Sequence, residues 1–293
     1  MKMPFLCRRF GFSLILTLGL GCAAWASDLS KYTTISDVEY KNADGKPLRL
    51  DVYFDPALSW KRPLVIYVHG GGWTGRTKAD GLFYAEAFLQ RGYAYASIDY
   101  RLSSDAIFPA QIEDVKAAIR FLRAHAADYR VDPDRIGLIG HSAGGELVSL
   151  AGTTNDDPQF DTGDNLGVSS AVQAVCDMSG PVDFLAPASA LASMLEKLLG
   201  GPVDEKQDLA KLASPIDHVN PKCPPFLILH GEKDPAIPVE EASGFAAALQ
   251  QAGVSAQLVI LPGQPHDLNV WAHTGAGNFM GVITQFFDSV LKK

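Results

Sequence analysis

Residues 135–151 read RIGLIGHSAGGELVSLA: an apolar run, a turn crowded with glycine, and a second apolar run. Arg135 to Ile139 has the composition of a buried strand, and Glu146 to Ala151 continues as a helix. Between them stands Gly140-His141-Ser142-Ala143-Gly144-Gly145, a G-x-S-x-G pattern in the strand–turn–helix setting that gives it meaning. The requirement is steric. A serine at the apex of a sharp turn sits in a strained backbone, and neighbours without bulk let adjoining chains approach. Ser142 is the candidate nucleophile; an ordinary glycine-rich turn with an incidental serine is the alternative, and the flanking strand and helix weigh against it.

Outward from this turn, apolar runs recur at residues 35–40, 48–54, 64–69, 94–98, 135–140, 171–178, 226–230 and 256–261, which predicts eight strands. Helical patterns separate the later ones. The clearest covers residues 110–124, where Ile112, Val115, Ile119 and Leu122 recur at spacings of three and four. Alternation of strand and helix implies an α/β fold with a mostly parallel sheet linked by right-handed crossovers. The first two strands are joined only by Asn42-Ala43-Asp44-Gly45-Lys46-Pro47, so they should form an antiparallel hairpin at one edge. Residues 153–169 and 181–214 break the alternation and are expected to be loops or a small lid over the C-terminal edge of the sheet, with a helix around Leu191 to Leu199. Nothing resembles a linker or repeat, so residues 27–293 read as one domain.

A serine that attacks a carbonyl needs N–H donors aimed at the developing oxyanion. His69-Gly70-Gly71-Gly72-Trp73, directly after the strand Leu64 to Val68, offers Gly71 and Gly72 to join Ala143 as an oxyanion hole. Trp73 is the expected substrate-binding wall, and His69 is expected to hold the loop.

With these two glycine motifs the sequence resembles the α/β-hydrolase superfamily, and within it the hormone-sensitive-lipase-like esterases and their bacterial feruloyl and acetyl-xylan esterase relatives. The resemblance spans roughly residues 35–290 and includes Asp99-Tyr100-Arg101-Leu102, Phe108-Pro109-Ala110 and the run from His230 through Asp234 to Pro238. It implies the chain order Ser, Asp, His. That points to Asp234 after the seventh strand, with Glu232 as the other acid, and to His266 in Leu261-Pro262-Gly263-Gln264-Pro265-His266-Asp267, with His273 as the other base. It further implies hydrolysis of carboxylic esters through an acyl-enzyme, without cofactor or metal. His125, His141, His218 and His230 are expected to be structural, since they lack metal-site spacing. The short lid favours short acyl or aromatic esters over long chains, and the relatives named point to acetyl or feruloyl esters of plant polysaccharides. An amidase, arylformamidase or peptidase using the same triad is the competing enzymatic reading, and a non-catalytic binding module is the competing reading from another class.

The 293 residues, 47% hydrophobic and 20% charged, suffice for a substantial core. At the N-terminus, Lys2, Arg8 and Arg9 precede an apolar run from Phe10 to Leu20 and then Ala24-Trp25-Ala26, the layout of a secretory signal peptide over residues 1–26. That run falls short of the roughly 18 to 20 residues that span a bilayer, so no transmembrane segment is expected. Gly21-Cys22 resembles a lipid-attachment site, with Gly19 where an aliphatic residue is usual, and Arg8-Arg9 resembles a twin-arginine signal, with Gly11 where an apolar residue is usual. General bacterial secretion, to the periplasm or beyond, is the expectation. Removal of residues 1–26 leaves 22 basic against 33 acidic residues, a net charge of −11, which excludes a nucleic-acid-binding role. Two cysteines remain, Cys176 and Cys223, whose positions relative to their strand ends are too far offset for pairing. Oligomeric state leaves no signature in the sequence.

Overall fold

The computed structural model describes residues 29–58, 61–155, 157–274 and 278–293. The expected signal peptide, with Cys22, lies outside the described residues. Eight strands form one sheet: β1 (Thr33–Ala43), β2 (Lys46–Phe54), β3 (Arg62–Val68), β4 (Ala94–Ile98), β5 (Val131–His141), β6 (Ala174–Met178), β7 (Phe226–Gly231) and β8 (Ala256–Leu261). Their order is β1-β2-β4-β3-β5-β6-β7-β8, with β1, β2 and β4 antiparallel in succession and every pair from β4 to β8 parallel. The expected hairpin is present at the edge, and its turn carries positive φ at both Asp44 (52°) and Gly45 (90°), the twist that suits paired antiparallel strands. The exchange of β3 and β4 was not part of the sequence reading.

The strand compositions follow from position. All seven residues of β3 are buried, as a central parallel strand covered on both faces requires, whereas the edge strand β1 has only one buried residue. β5 begins at Val131, earlier than the expected 135, because Val131 pairs with Arg62 across a register shift while Asp132, Pro133 and Asp134 interrupt the apolar pattern. β6 begins at Ala174, later than the expected 171, because the Val172 amide is taken by the Asn155 side chain.

Helices cover both faces. α1 (Leu82–Leu89) and α8 (Phe279–Leu291) bury Phe88, Ile283 and Phe287 on one face. On the other lie α2 (Ala110–Ala124), α3 (Ala143–Thr153) and α6 (Val239–Gln251), which bury Ile119, Leu147 and Phe245. α4 (Ala192–Leu199) and α5 (Gln207–Ala213) occupy the stretch 181–214, and α7 (Leu268–His273) follows β8. This is the α/β-hydrolase arrangement that the motifs led us to expect.

One expected lid segment lies elsewhere. α3 starts at the C-terminal end of β5 and must return to the start of the parallel strand β6, so residues 153–169 sit at the opposite edge of the sheet. The middle of α2 pins them there. Lys116 Nζ donates to the Thr154 and Asp157 carbonyls at 2.7 and 2.8 Å, and the buried Arg120 guanidinium pairs with Asp161 and donates to the Thr162 carbonyl. Cys176 and Cys223 are free thiols. No helix among the described residues is long and apolar enough to cross a membrane.

Candidate active site

The turn between β5 and α3 has the strained form that the sequence demanded. Ser142 sits at φ 56° and ψ −122°, and its amide donates to the Met178 carbonyl of β6 at 2.9 Å, which fixes the apex between two strands. Gly144 permits the close approach: a Cβ there would lie 2.1 Å from the Val68 carbonyl oxygen.

Two loops bring partners to this serine. After β8, His266 reaches back so that Nε2 stands 2.8 Å from Ser142 Oγ, while Nδ1 stands 2.7 Å from Asp234 Oδ2 on the loop after β7. Asp234 Oδ1 accepts the amides of Ala236 (2.8 Å) and Ile237 (3.0 Å), so both carboxylate oxygens are engaged. The alternatives are occupied elsewhere: Glu232 accepts the Gly263 amide at 2.6 Å, and His273 bonds the Asn269 carbonyl at 2.6 Å.

Electrostatics reinforce this order. Burial pushes the Asp234 carboxyl up, but hydrogen bonding to His266, the His266 charge and the two amides outweigh it and hold the group below its ordinary value. Burial, and next the neighbouring His266 ring, drop His141 to about 3, so it is neutral; Nε2 then carries a proton and donates to the His266 carbonyl at 2.9 Å. His230 is likewise pushed down by burial, and its Nε2 donates to the Ile237 carbonyl at 2.9 Å, steadying the Asp234 loop. Two histidines thus hold the backbone on either side of the Ser142–His266–Asp234 series.

The loop after β3 faces the serine. His69 stacks on Tyr100 at 4.2 Å between ring centroids, its Nδ1 donates to the Gly70 carbonyl at 2.8 Å, and the Tyr100 hydroxyl donates to the His69 carbonyl at 2.9 Å. His69 therefore holds the loop, and Tyr100 explains part of the Asp99-Tyr100-Arg101-Leu102 motif. Arg101 accounts for more of it, pairing with Asp114 of α2 at 2.8 Å. Trp73, expected as a substrate wall, does border the cavity, yet its side chain is 1% exposed. Its indole donates to Glu146 Oε2 at 2.9 Å and meets Phe184 edge-on. The ring mainly ties the loop to the first turn of α3.

The sequence reading passed over Glu146, fully buried with Oε1 unpartnered, and Asp177 behind it, which accepts Ser149 Oγ at 2.9 Å and the Gly180 amide at 2.8 Å. Burial raises both carboxyls, Asp177 to about 6. An acid at the head of an otherwise apolar helix was the available signal for Glu146.

Ser142, His266, Gly71, Gly72 and Ala143 line one cavity of about 220 Å³, roofed by Leu191 and Met194 from the 181–214 stretch. Met194 lies directly over Gly72, where a Cβ would come within 2.2 Å of its sulfur. A second cavity of about 350 Å³ shares Arg76, His141 and His266 with the first and runs on to Asp80, Phe83 and Asn269.

A family model described as BD-FAE matches residues 50–249. The probable carboxylic ester hydrolase LipM of Mycobacterium tuberculosis is 32% identical over 270 residues, covering 88% of this chain and 62% of that protein, so the chain spans under two thirds of this relative. Among solved structures, a truncated carbohydrate esterase from gut microbiota matches with a TM-score of 0.77 and 31% identity, over 88% of this chain and 97% of that one. The esterase Est2 of Thermogutta terrifontis, with propionate bound, matches with a TM-score of 0.73 and 26% identity, over 89% and 95% of the two chains.

Proposed function

The chain belongs to the BD-FAE family, and we propose that it is a secreted serine hydrolase that cleaves short-chain carboxylic esters, acetyl esters of plant polysaccharides foremost, through an acyl-enzyme. The observation that carries this reading is the unbroken series Ser142 Oγ, His266 Nε2, His266 Nδ1, Asp234 Oδ2, with links of 2.8 and 2.7 Å, opening on the cavity that holds the glycine amides.

That geometry supports the following steps. His266 Nε2 accepts the Ser142 proton as Oγ forms its bond to the ester carbonyl carbon; the carbonyl π electrons move onto oxygen. The amides of Gly71, Gly72 and Ala143 receive that oxyanion, a contribution typically worth about 10² to 10³ in turnover per donor. Asp234 keeps the proton on Nδ1 and stabilises the imidazolium. Collapse of the intermediate breaks the bond to the alcohol oxygen, to which His266 returns the proton, and water repeats the sequence on the acyl-enzyme.

The small apolar cavity supports a short acyl group, as does the likeness to an esterase with propionate bound, and the likeness to a carbohydrate esterase supports a sugar-linked alcohol. The layout of residues 1–26 supports export.

The test pairs a fluorophosphonate probe with rate measurements on acetylated xylan, methyl ferulate, short and long p-nitrophenyl esters and an aryl formamide. We expect labelling at Ser142, fastest turnover of acetates, and no labelling of a folded Ser142→Ala variant. Labelling that persists in that variant, or a formamide hydrolysed faster than any ester, would overturn the reading.

A further inference from the structure

Stereochemistry at the attacked carbon assigns directions. Its four substituents are Ser142 Oγ, the oxyanion, the acyl chain and the alcohol oxygen, and the last must lie toward His266 Nε2 to receive its proton. His266 lines both cavities described above. The cavity with the glycine amides is bounded by Pro181, Leu191, Met194 and Ala236, an apolar wall with room for a few carbon atoms once the reacting groups are in place. That wall suits an acyl chain, which leaves the more polar cavity for the alcohol.

We propose that the larger cavity beyond His266 is the alcohol subsite and that it binds a sugar ring, with Arg76 and Phe83 as the residues that select it. This rests on the ester hydrolysis proposed above and goes further by assigning the leaving-group side.

The lining has the chemistry that a pyranose requires. Hydroxyl groups both donate and accept, and the cavity offers the guanidinium of Arg76, the carboxylates of Asp80 and Asp267 and the amide of Asn269. The C–H face of a sugar packs against an aromatic ring, and Phe83 supplies one: it is 39% exposed, unusual for its type, and is braced by Phe279 in a stacked contact at 6.5 Å and by Tyr84 edge-on at 5.0 Å. Two carboxylates beside one guanidinium do not suit an anion, and four polar side chains do not suit an alkyl alcohol.

Arg76 holds the junction. It borders both cavities, and its backbone occupies φ 69°, a conformation that side-chain-bearing residues rarely adopt. Its Cγ lies 3.0 Å from where a Cβ on Gly71 would stand, so its stem packs on the oxyanion loop. The guanidinium approaches Asp80 only at 3.4 Å, and the side chain remains 58% exposed, in reach of a ligand hydroxyl.

The experiment compares kcat/KM for an O-acetylated methyl xyloside with that for ethyl acetate, which has the same acyl group, in wild-type protein, Arg76→Ala and Phe83→Ala. Active sites are counted by fluorophosphonate titration, so that misfolded protein does not enter the rates. We expect wild type to favour the sugar acetate, and the ratio of the two constants to fall about tenfold in each variant, the equivalent of one hydrogen bond to a charged group or one ring contact. A ratio that stays within about twofold of wild type in both variants would remove the sugar subsite while leaving ester hydrolysis standing. Failure of the wild-type protein to turn over either ester would remove both readings together.

Discussion

At the scale of single residues, Asp234 does two things that one substitution can separate. Its Oδ2 faces His266 Nδ1, and its Oδ1 holds the turn through two amides. Asp234→Asn can keep the turn while losing the charge and the acceptor that fix the imidazole tautomer, so kcat should fall by about 10³ to 10⁴ with little loss of thermal stability. A large drop in melting temperature would show that the turn, not the relay, was broken. Trp73→Phe probes the loop differently. It keeps the ring against Phe184 but leaves buried Glu146 without its donor, at about 1 to 3 kcal/mol of stability. Because the same tie anchors the loop carrying Gly71 and Gly72, kcat should fall more than KM changes; equal stability and kcat in melts and steady-state rates would show the tie to be idle. The sequence made Ser142, Asp234 and His266 legible because each sits in a motif that backbone geometry or chain order enforces. Glu146 and Arg76 escaped notice because what matters about them is a partner far along the chain, the indole of Trp73 for one and the cavity beside His266 for the other.

At the scale of elements, eight apolar runs were enough to locate eight strands, since a buried parallel strand can hardly be anything but apolar. Their order was not legible: nothing in the residues of β3 or β4 says which lies beside β2, since either crossover would bury the same side chains. The stretch 153–169 was misplaced for a similar reason, because its polar composition marks a loop but not the edge on which it lies. That position has a consequence. Arg120→Ala removes a fully buried guanidinium from Asp161 and the Thr162 carbonyl, so stability should fall by about 3 kcal/mol. Since this loop is remote from Ser142, kcat/KM per active site should hold; a parallel loss of turnover would place the loop at the site after all. The roof helix α4 is the opposite case. Met194→Ala opens the wall above Gly72, and the ratio of butyrate to acetate hydrolysis should rise several-fold, since a methylene is worth about 1 to 3 kcal/mol in a fitted pocket. Unchanged chain-length preference would mean that the acyl group lies elsewhere.

At the scale of the whole molecule, the carboxyl groups fall into two sets with opposite effects on stability. Asp105, Asp132 and Asp288 contend with burial, which would raise them, yet ion pairs and hydrogen bonds hold them below their ordinary value, as His266 and the turn amides do for Asp234. Their stabilising contribution is present above the ordinary carboxylate range and disappears as pH falls through the lowered values; for the three more exposed ones solvent screening keeps it small. Glu146, Asp177 and Glu241 are raised, chiefly by burial. The folded state binds their protons more tightly than the unfolded chain does, so their contribution is complete below the ordinary value and declines as pH rises through it, for Asp177 from 3.8 to about 6. The two windows barely overlap, and over the second the histidines act the other way: His69, His141 and His230 are pushed down by burial, so the unfolded chain holds their protons up to their ordinary value of 6.5 while the folded chain does not, and their contribution grows as pH rises. Thermal melts from pH 4 to 7 therefore read the difference between the raised acids and the lowered histidines, and taking one raised acid out should tilt the curve upward with pH, since about 1 kcal/mol moves the melting temperature by roughly 2 to 4 °C in a chain of this size. Asp177→Asn retains an oxygen for the Gly180 amide and a polar group for Ser149 but cannot ionise. It should make the slope of melting temperature against pH more positive between pH 4 and 6, whatever it does to the absolute melting temperature, because the slope reads proton uptake alone. A slope unchanged in that variant would mean that Asp177 titrates alike in the folded and unfolded chain, and that the buried acids behind the serine are not what ties stability to pH.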